Sequence, residues 1–453
     1  MDTRGQILKE LSRIYEMGSN QLVLVSGNIR CEKEQLISAF LKDKKYFYYR
    51  CRNASFELQR SMLSAEVEKT YDIKITKNTI DECFNRIRSG DGSKLVVVLD
   101  EFQSVGRRNT EFIESVLKLR DKKLYPGPVM IILATSSLAY ADEDAREIFG
   151  DSYNKIDHIL KVSDYTFLEF VRAFPGLSVK GAVEAYGIIG GCPTYLARWN
   201  GSLSTKDNII KHILSRGGFL YDEAQNFIYS ELRELSVYNT ILYSMAIGNE
   251  KLNDIYRFTG YSRAKISVYM KNLASFDVVE KIVSFDTGGW DNAKKGVYRI
   301  KNHYVDFWFR FIYPHLSELA TMDAESFYTK FIEPDLQSHL RRYFSQVCLE
   351  YLSLLNVAGR LPVKAVRIGT WIGKEGTIDI VASDDEREII CGKCNWDSPM
   401  FTMADYESLL SDMKLARIKA KGVYLFSAQT FAPELIELSK NDSSIVLVDM
   451  TEL

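Results

Sequence analysis

The sequence predicts an α/β protein of several domains, and three observations predict it. Apolar runs without alternation, at 22–26, 95–99 and 129–133, are separated by helical patterns within the first 160 residues. A helix-turn-helix pattern followed by a hairpin pattern lies between 251 and 300. From about 316 a second alternation of strands and helices begins. A chain of 453 residues has room for two to four domains at about 100–200 residues each.

Taken in order, Leu8, Leu11 and Ile14 fall on one face of an N-terminal helix. The run 22–26 (LVLVS) ends at Gly27, and an apolar run of this kind suits a parallel strand buried on both faces. Leu36, Ile37, Phe40 and Leu41 give the next helix its apolar face. Residues 46–51 (YFYYRC) read as a second strand and 95–99 (LVVVL) as a third, running into Asp100. A fourth, 129–133 (VMIIL), runs into Ala134-Thr135-Ser136-Ser137. Helices between such runs imply βαβ units with right-handed crossovers. Their ligands sit at the C-terminal strand ends, where Gly27, Asp100 and Ser136 fall. Residues 161–235 read as helical, broken at Gly190-Gly191-Cys192-Pro193. Helices at 251–258 and 263–274 flank the turn Gly260-Tyr261-Ser262, and segments 278–285 and 296–300 flank Gly288-Gly289, which is the order of a winged helix. In the last stretch a helix at 336–355 leads to strands near 366–368, 377–382 and 388–393. A helix around 406–419 and strands at 422–426 and 444–449 follow.

Composition narrows the function classes. With 46% hydrophobic and 26% charged residues the chain is not mainly disordered. Its 58 Lys/Arg against 60 Asp/Glu advertise no nucleic acid globally, so any basic surface must be local. Seven scattered cysteines, an odd number, fit reduced thiols in a cytoplasm better than a disulfide framework. The N-terminus is polar and helical rather than a signal peptide, and no apolar run approaches the roughly 20 residues that span a bilayer. A cytoplasmic protein without a membrane partner is expected.

A phosphate loop reads G-x-x-x-x-G-K-[ST] between a strand and a helix. Its glycines let backbone N–H groups approach the phosphates, its lysine meets the β- and γ-phosphates, and its hydroxyl holds Mg²⁺. At that junction this chain has Gly27-Asn28-Ile29-Arg30-Cys31-Glu32-Lys33-Glu34. Gly27 and Lys33 are in place; Glu32 replaces the second glycine and Glu34 the hydroxyl. A carboxylate about 4 Å from a phosphate costs on the order of 4 kcal/mol at an effective dielectric near 20, about a thousandfold in affinity. Asp100-Glu101 at the end of the third strand supply the acids that in such ATPases hold the Mg²⁺ shell and polarise the attacking water. Ser136 is placed to reach a γ-phosphate or to cap the next segment.

Leu99-Asp100-Glu101-Phe102-Gln103, Gly190-Gly191-Cys192-Pro193-Thr194-Tyr195-Leu196, Asp306-Phe307-Trp308-Phe309-Arg310-Phe311, and Trp371 followed by Ile378-Asp379-Ile380-Val381-Ala382 occur in this order along the chain. In these blocks the chain resembles the archaeal-type prokaryotic ATPase family. The resemblance implies a P-loop NTPase-like parallel sheet of AAA/STAND type at 1–160, a helical lid at 161–232, a winged helix at 233–315, and a restriction-endonuclease-like α/β domain of the PD-(D/E)xK kind at 316–453. It implies ATP binding by Gly27, Lys33, Asp100 and Glu101, the last two as the catalytic acids; Ser136 joins the nucleotide-binding candidates by its place at the strand end. It also implies departures. Where the family usually has an arginine after the fourth strand, Ser152-Tyr153-Asn154-Lys155 stands, and lysine lacks the planar fork of an arginine finger. Where the nuclease-like core needs an acid and then a (D/E)-x-K pair, Asp379 remains but Lys393 and Asn395 replace the pair, and Phe344-Ser345 replaces an upstream F-E. Lys393 is expected to form an ion pair with Asp379 in place of a metal. Losses at Glu32, Glu34, Lys155, Lys393 and Asn395, with the apolar framework kept, read as a fold retained after its chemistry.

Cys391 and Cys394 form a C-x-x-C without a second pair and fall on a strand, where residues three apart face opposite sides, so core cysteines and no metal are expected. Between 251 and 301 there are ten Lys/Arg against five Asp/Glu. Arg263, Lys265 and Lys271 lie on the second helix and Lys294 and Lys295 near the wing tip, a pattern that suits duplex DNA or, equally, protein packing with a solvated basic face. The sequence therefore suggests a degenerate ATPase-family scaffold for DNA or a protein partner, without cofactor. The alternative is an ATPase that still binds Mg-ATP through an altered loop.

Overall fold

A computed structural model describes residues 3–449 apart from 78, 107–109, 122–126, 137–144, 233 and 288–295. Ser137, Gly288, Gly289, Lys294 and Lys295 lie outside the described residues. The chain divides into two compact units, the first comprising 1–164 with 192–194 and 275–277, the second the remainder.

In the first unit, β1 (Gln21–Ser26), β2 (Lys45–Arg50), β3 (Leu95–Asp100), β4 (Val129–Thr135) and β5 (His158–Lys161) form one parallel sheet in the order β2-β3-β4-β1-β5. The three predicted apolar runs are the three central strands, buried at every position. Each is covered on both faces, so side chains of either parity meet a core. Leu22 and Leu24 enter one cluster with Phe47, Phe84 and Phe112. Val23 and Val25 enter the other with Leu11, Ile37 and Phe40 from the helices Thr3–Glu16 and Lys33–Leu41. In register, Ser26 lies opposite Thr135 and Leu99 opposite Leu133, so Gly27, Asp100 and Ser136 emerge together at one edge. The edge strand β5 was not anticipated. Its four residues, HILK, alternate between half-buried and exposed and lack the apolar run that marks a central strand.

In the second unit, helices Leu235–Ala246, Leu252–Thr259 and Arg263–Ser275 precede an antiparallel hairpin of β6 (Val279–Val283) and β7 (Gly296–Ile300). Helix His303–Phe311 and the 25-residue helix Glu333–Val357 follow. The C-terminal sheet holds β8 (Arg367–Ile372), β9 (Thr377–Ser383), β10 (Ile389–Asn395), β12 (Gly422–Ser427) and β14 (Ile445–Asp449), in the order β14-β12-β10-β9-β8. β8, β9 and β10 pair antiparallel and β10, β12 and β14 parallel, with helices Met403–Ala416 and Pro433–Asn441 between the parallel strands in the chain. The short strands β11 (Met400–Phe401) and β13 (Thr430–Phe431) pair separately. No helix among the described residues is long and apolar enough to cross a membrane.

Helix His303–Phe311 buries Phe307, Trp308, Phe309 and Phe311, and with them Asp306, which is 1% exposed. A buried carboxylate needs partners. Arg342 pairs with it, the Tyr343 hydroxyl donates to its Oδ2 at 2.7 Å, and His339 Nδ1 lies 3.6 Å away. Burial holds His303 down to about 4 and His339 to about 3, so both are neutral. Replacing Arg342 with Ala strands the Asp306 charge and should lower stability by about 3–5 kcal/mol in denaturant unfolding. Removing both partners in the Asp306→Ala, Arg342→Ala double variant should cost less than Arg342→Ala alone.

Candidate functional site

Gly27 follows β1 where the backbone is pressed close. A Cβ there would stand 2.5 Å from Cys31 Sγ and 2.8 Å from the Val162 carbonyl oxygen, so the turn admits only glycine. The loop then folds on itself. The Arg30 N–H donates to Asn28 Oδ1 at 2.8 Å and the Cys31 N–H to the Asn28 carbonyl at 3.1 Å. From the Gly-Gly-Cys-Pro-Thr block, Thr194 Oγ1 donates to the Arg30 carbonyl at 3.1 Å. Burial pushes the Cys31 thiol up to about 11, which keeps it protonated.

Glu32 occupies the glycine position of the loop with φ 57° and ψ 34°, in the left-handed region. The backbone has kept the form that glycine adopts freely, while the side chain has changed. The strain is about 1–2 kcal/mol, and Glu32 gives the following helix no side-chain cap.

Helix Lys33–Leu41 sets Lys33, 3% exposed, on its first turn. Lys33 Nζ lies 3.5 Å from Asp100 Oδ1 and 3.7 Å from Glu101 Oε1, and donates to Ser136 Oγ at 3.4 Å. Ser136 in turn donates to Glu101 Oε1. The structure thus brings Lys33, Asp100, Glu101 and Ser136 together, as their places at the strand ends predict. Two neighbours were not foreseen, both from β2. The Tyr48 hydroxyl donates to Asp100 Oδ2 at 2.8 Å, and Arg50 lies 3.1 Å from Glu34, 3.9 Å from Asp100 and 4.0 Å from Glu101. Their signal is the register in which Arg50 stands opposite Asp100, which appears only once β2 is known to flank β3. Burial, and then the Asp100 charge, push the Tyr48 hydroxyl well above its usual range, so it stays a donor.

Glu34 turns inward. One carboxylate oxygen from each of Glu34, Asp100 and Glu101 lies within 4.8 Å of the others. Asp100 is fully buried, and its Oδ1 accepts no hydrogen bond among the described residues. Three carboxylates with a buried oxygen facing them fit a hard divalent cation. The same set does not fit a polyphosphate, because Glu34 and Glu32 flank the lysine that would bind it and Lys33 is already held by two acids. Lys155 is engaged elsewhere, 2.8 Å from Asp121.

In the C-terminal sheet, Asp379 on β9 accepts the Cys394 N–H at 2.9 Å, and burial raises its carboxyl above the usual range. The expected ion pair with Lys393 does not form among the described residues. Lys393 on the neighbouring β10 donates instead to Ser408 Oγ at 2.8 Å. A backbone N–H already satisfies Asp379, and the long lysine stem reaches the helix Met403–Ala416. The Asn395 amide ties a turn, donating to the Met400 carbonyl and accepting the Ser398 N–H. Cys391 packs in the core of this sheet, and Cys394 is buried too. On helix Arg263–Ser275, Arg263 and Lys271 are exposed and Lys265 is half-buried. Arg263 lies over the Tyr256 ring at 4.9 Å and Lys265 over Tyr261 at 4.7 Å.

The strain at Glu32 predicts that Glu32→Gly raises stability by about 0.5–1 kcal/mol, the relief of the left-handed backbone less the added entropy of an unfolded glycine. Glu32→Ala, which removes the same charge but keeps a Cβ, should show no such gain in thermal or denaturant unfolding.

Residues 3–199 match the model of an ATPase domain predominantly from Archaea. Residues 308–409 match the model of a family of archaeal and bacterial proteins of unknown function. An uncharacterized protein of Methanocaldococcus jannaschii is 25% identical over 396 residues, which is 87% of either chain. Among solved structures, a Walker-type ATPase of Pyrococcus abyssi aligns at TM-score 0.47 and 17% identity, over 68% of this chain and 95% of its own. The ORC2 protein of Aeropyrum pernix, in ADPNP–ADP complexes, aligns at 0.46 and 14%, over 70% and 94%. An archaeal ATPase domain matched over the N-terminal part and a domain of unknown function matched toward the C-terminal end are consistent with an archaeal-type P-loop ATPase family.

Proposed function

We propose that this protein is a degenerate member of its family: a DNA- or protein-binding scaffold with weak or absent ATP hydrolysis and no nuclease activity. The observation that carries this reading is the state of Lys33. Its ammonium is buried between Asp100 and Glu101 at 3.5 and 3.7 Å, with Glu32 and Glu34 on either side of it in the chain. To meet a phosphate, Lys33 would have to leave two carboxylates in a dry site, and the phosphate would have to approach Glu34. Each such repulsion costs on the order of 4 kcal/mol. The loss of the nuclease-like acids supports the same reading, since Asp379 alone does not make a two-carboxylate metal site.

One observation favours the second reading, an ATPase with an altered loop. Glu34 faces Asp100 and Glu101 closely enough to take over the metal-holding role of the missing hydroxyl. Calorimetry with Mg-ATP separates the two. The wild type should bind weakly or not at all, with background turnover. Glu32→Gly with Glu34→Thr restores the loop pattern and should raise affinity at least about a hundredfold. Micromolar binding by the wild type, lost in Lys33→Ala and in Glu34→Gln, would establish the second reading instead.

The scaffold reading assigns duplex DNA to the segment 233–315 read as a winged helix, through Arg263, Lys265 and Lys271, with Lys294 and Lys295 near the wing. Three helices followed by an antiparallel hairpin, and the exposure of Arg263 and Lys271, support it. Affinity for duplex should fall steeply with salt. Replacing Arg263, Lys265 and Lys271 by Ala should weaken binding and flatten the salt slope by about one unit per lost phosphate contact. If no duplex is bound even at low salt, DNA leaves the reading and a protein partner remains.

A further inference from the structure

We propose that the second unit carries a binding site for a phosphate-bearing ligand, in a cavity lined by four arginines. The cavity holds about 620 Å³, the size of small-ligand sites. Arg299 comes from β7, Arg310 from helix His303–Phe311, and Arg341 and Arg342 from helix Glu333–Val357. A strand, the helix that directly follows it and the later long helix thus deliver cationic forks to one space. The lining holds two acids, Glu280 and Asp379. Asp379 is occupied by the Cys394 N–H, and burial favours its neutral form.

Each arginine is tethered by a carboxylate that is not part of the lining. Arg299 Nε donates to Glu250 at 2.9 Å, Arg310 Nη2 to Asp335 at 3.1 Å, and Arg341 to Asp397 at 2.7 Å, while Arg342 pairs with Asp306. A tethered guanidinium has lost much of its side-chain freedom before any ligand arrives, so less entropy remains to be lost on binding. The tethers leave donors over. Among the described residues, Arg299 Nη1 and Nη2, Arg310 Nε, Arg341 Nη1, and Arg342 Nε and Nη1 have no hydrogen-bond partner. His339 also lines the cavity, and its Nε2 is buried without a partner.

Converging planar donors with charges already fixed in place suit the tetrahedral oxygens of phosphate, which accept from several forks at once. A second cavity of about 320 Å³ shares Arg341 and Asp379 and is lined also by Lys393, Asp397 and Asp405, so the acids there outnumber the cations and the phosphate is assigned to the first cavity. This site is independent of the loop at Gly27–Glu34 and stands or falls apart from the reading of that loop.

The test uses the full chain in magnesium-free, low-salt buffer. Inorganic pyrophosphate, adenosine monophosphate and a twelve-nucleotide single-stranded DNA are titrated separately by calorimetry. Binding of pyrophosphate or the mononucleotide identifies a small phosphorylated ligand; binding of the oligonucleotide alone identifies backbone phosphates. In either case Arg299→Gln and Arg341→Gln should each weaken binding about tenfold or more, the loss of a charge-assisted hydrogen bond. Arg341 is 61% exposed at its side chain, so Arg341→Gln keeps the test valid should Arg299→Gln unfold, as thermal melting would show. Arg341→Lys should recover only part of the affinity, because the charge returns without the fork. The proposal is overturned if none of the three probes binds, or if binding is unchanged in Arg299→Gln and Arg341→Gln but lost in Lys33→Ala.

Discussion

A strand buried on both faces can present polar side chains only where it leaves the sheet, and the first unit is built around three such strands. β1, β3 and β4 are buried along their whole length, so every group capable of chemistry collects at their C-terminal ends. Asp100 is the limiting case. It is the last residue of β3, wholly buried, and a buried carboxylate needs partners, which the Tyr48 hydroxyl and the Lys33 ammonium supply. That requirement draws Lys33 down into the site and ties the start of its helix to the sheet edge.

Both candidate sites pair their polar groups internally, but by different means. In the loop, Glu34 is answered by Arg50, and the left-handed backbone at position 32 is retained at a cost in strain. The cost is tolerable because the loop is fixed elsewhere, by the close approach at Gly27 and the Thr194 contact to Arg30. In the C-terminal sheet, Asp379 accepts one backbone N–H while burial raises its carboxyl above the usual range, and Lys393 turns to a serine. One site sets acids against a lysine and an arginine; the other holds its acid with a backbone N–H.

The second unit applies ion pairing to a different end. Asp306 sits within an aromatic helix and is compensated by Arg342, Tyr343 and the neutral His339 nearby. Arg342 belongs at once to that core pair and to the wall of the arginine-lined cavity. The packing of helix His303–Phe311 against helix Glu333–Val357 therefore fixes a cation at the cavity wall, and the cavity inherits its rigidity from the core.

The apolar runs at 22–26, 95–99 and 129–133 were legible because burial on both faces leaves a local mark, an unbroken stretch of Val, Leu and Ile. Gly27, Lys33 and Asp100-Glu101 were legible because their spacing relative to those runs is also local. The helix-turn-helix, the hairpin and the C-terminal strands carried their own periodicities. β5 carried none, since a four-residue edge strand buries too little to constrain its composition. Tyr48 and Arg50 could not be assigned to the site without knowing that β2 lies beside β3, and the direction of the Glu34 side chain depends on Arg50 being there. The Asp379–Lys393 ion pair was expected from neighbouring strands, yet a backbone N–H and Ser408 competed successfully for the two groups. The sequence by itself determined which segments are buried and where the chain turns, because side-chain burial repeats with the period of the local backbone. Only the tertiary structure decided which charges meet, because electrostatic partners are chosen by distance in space among residues that the chain places far apart.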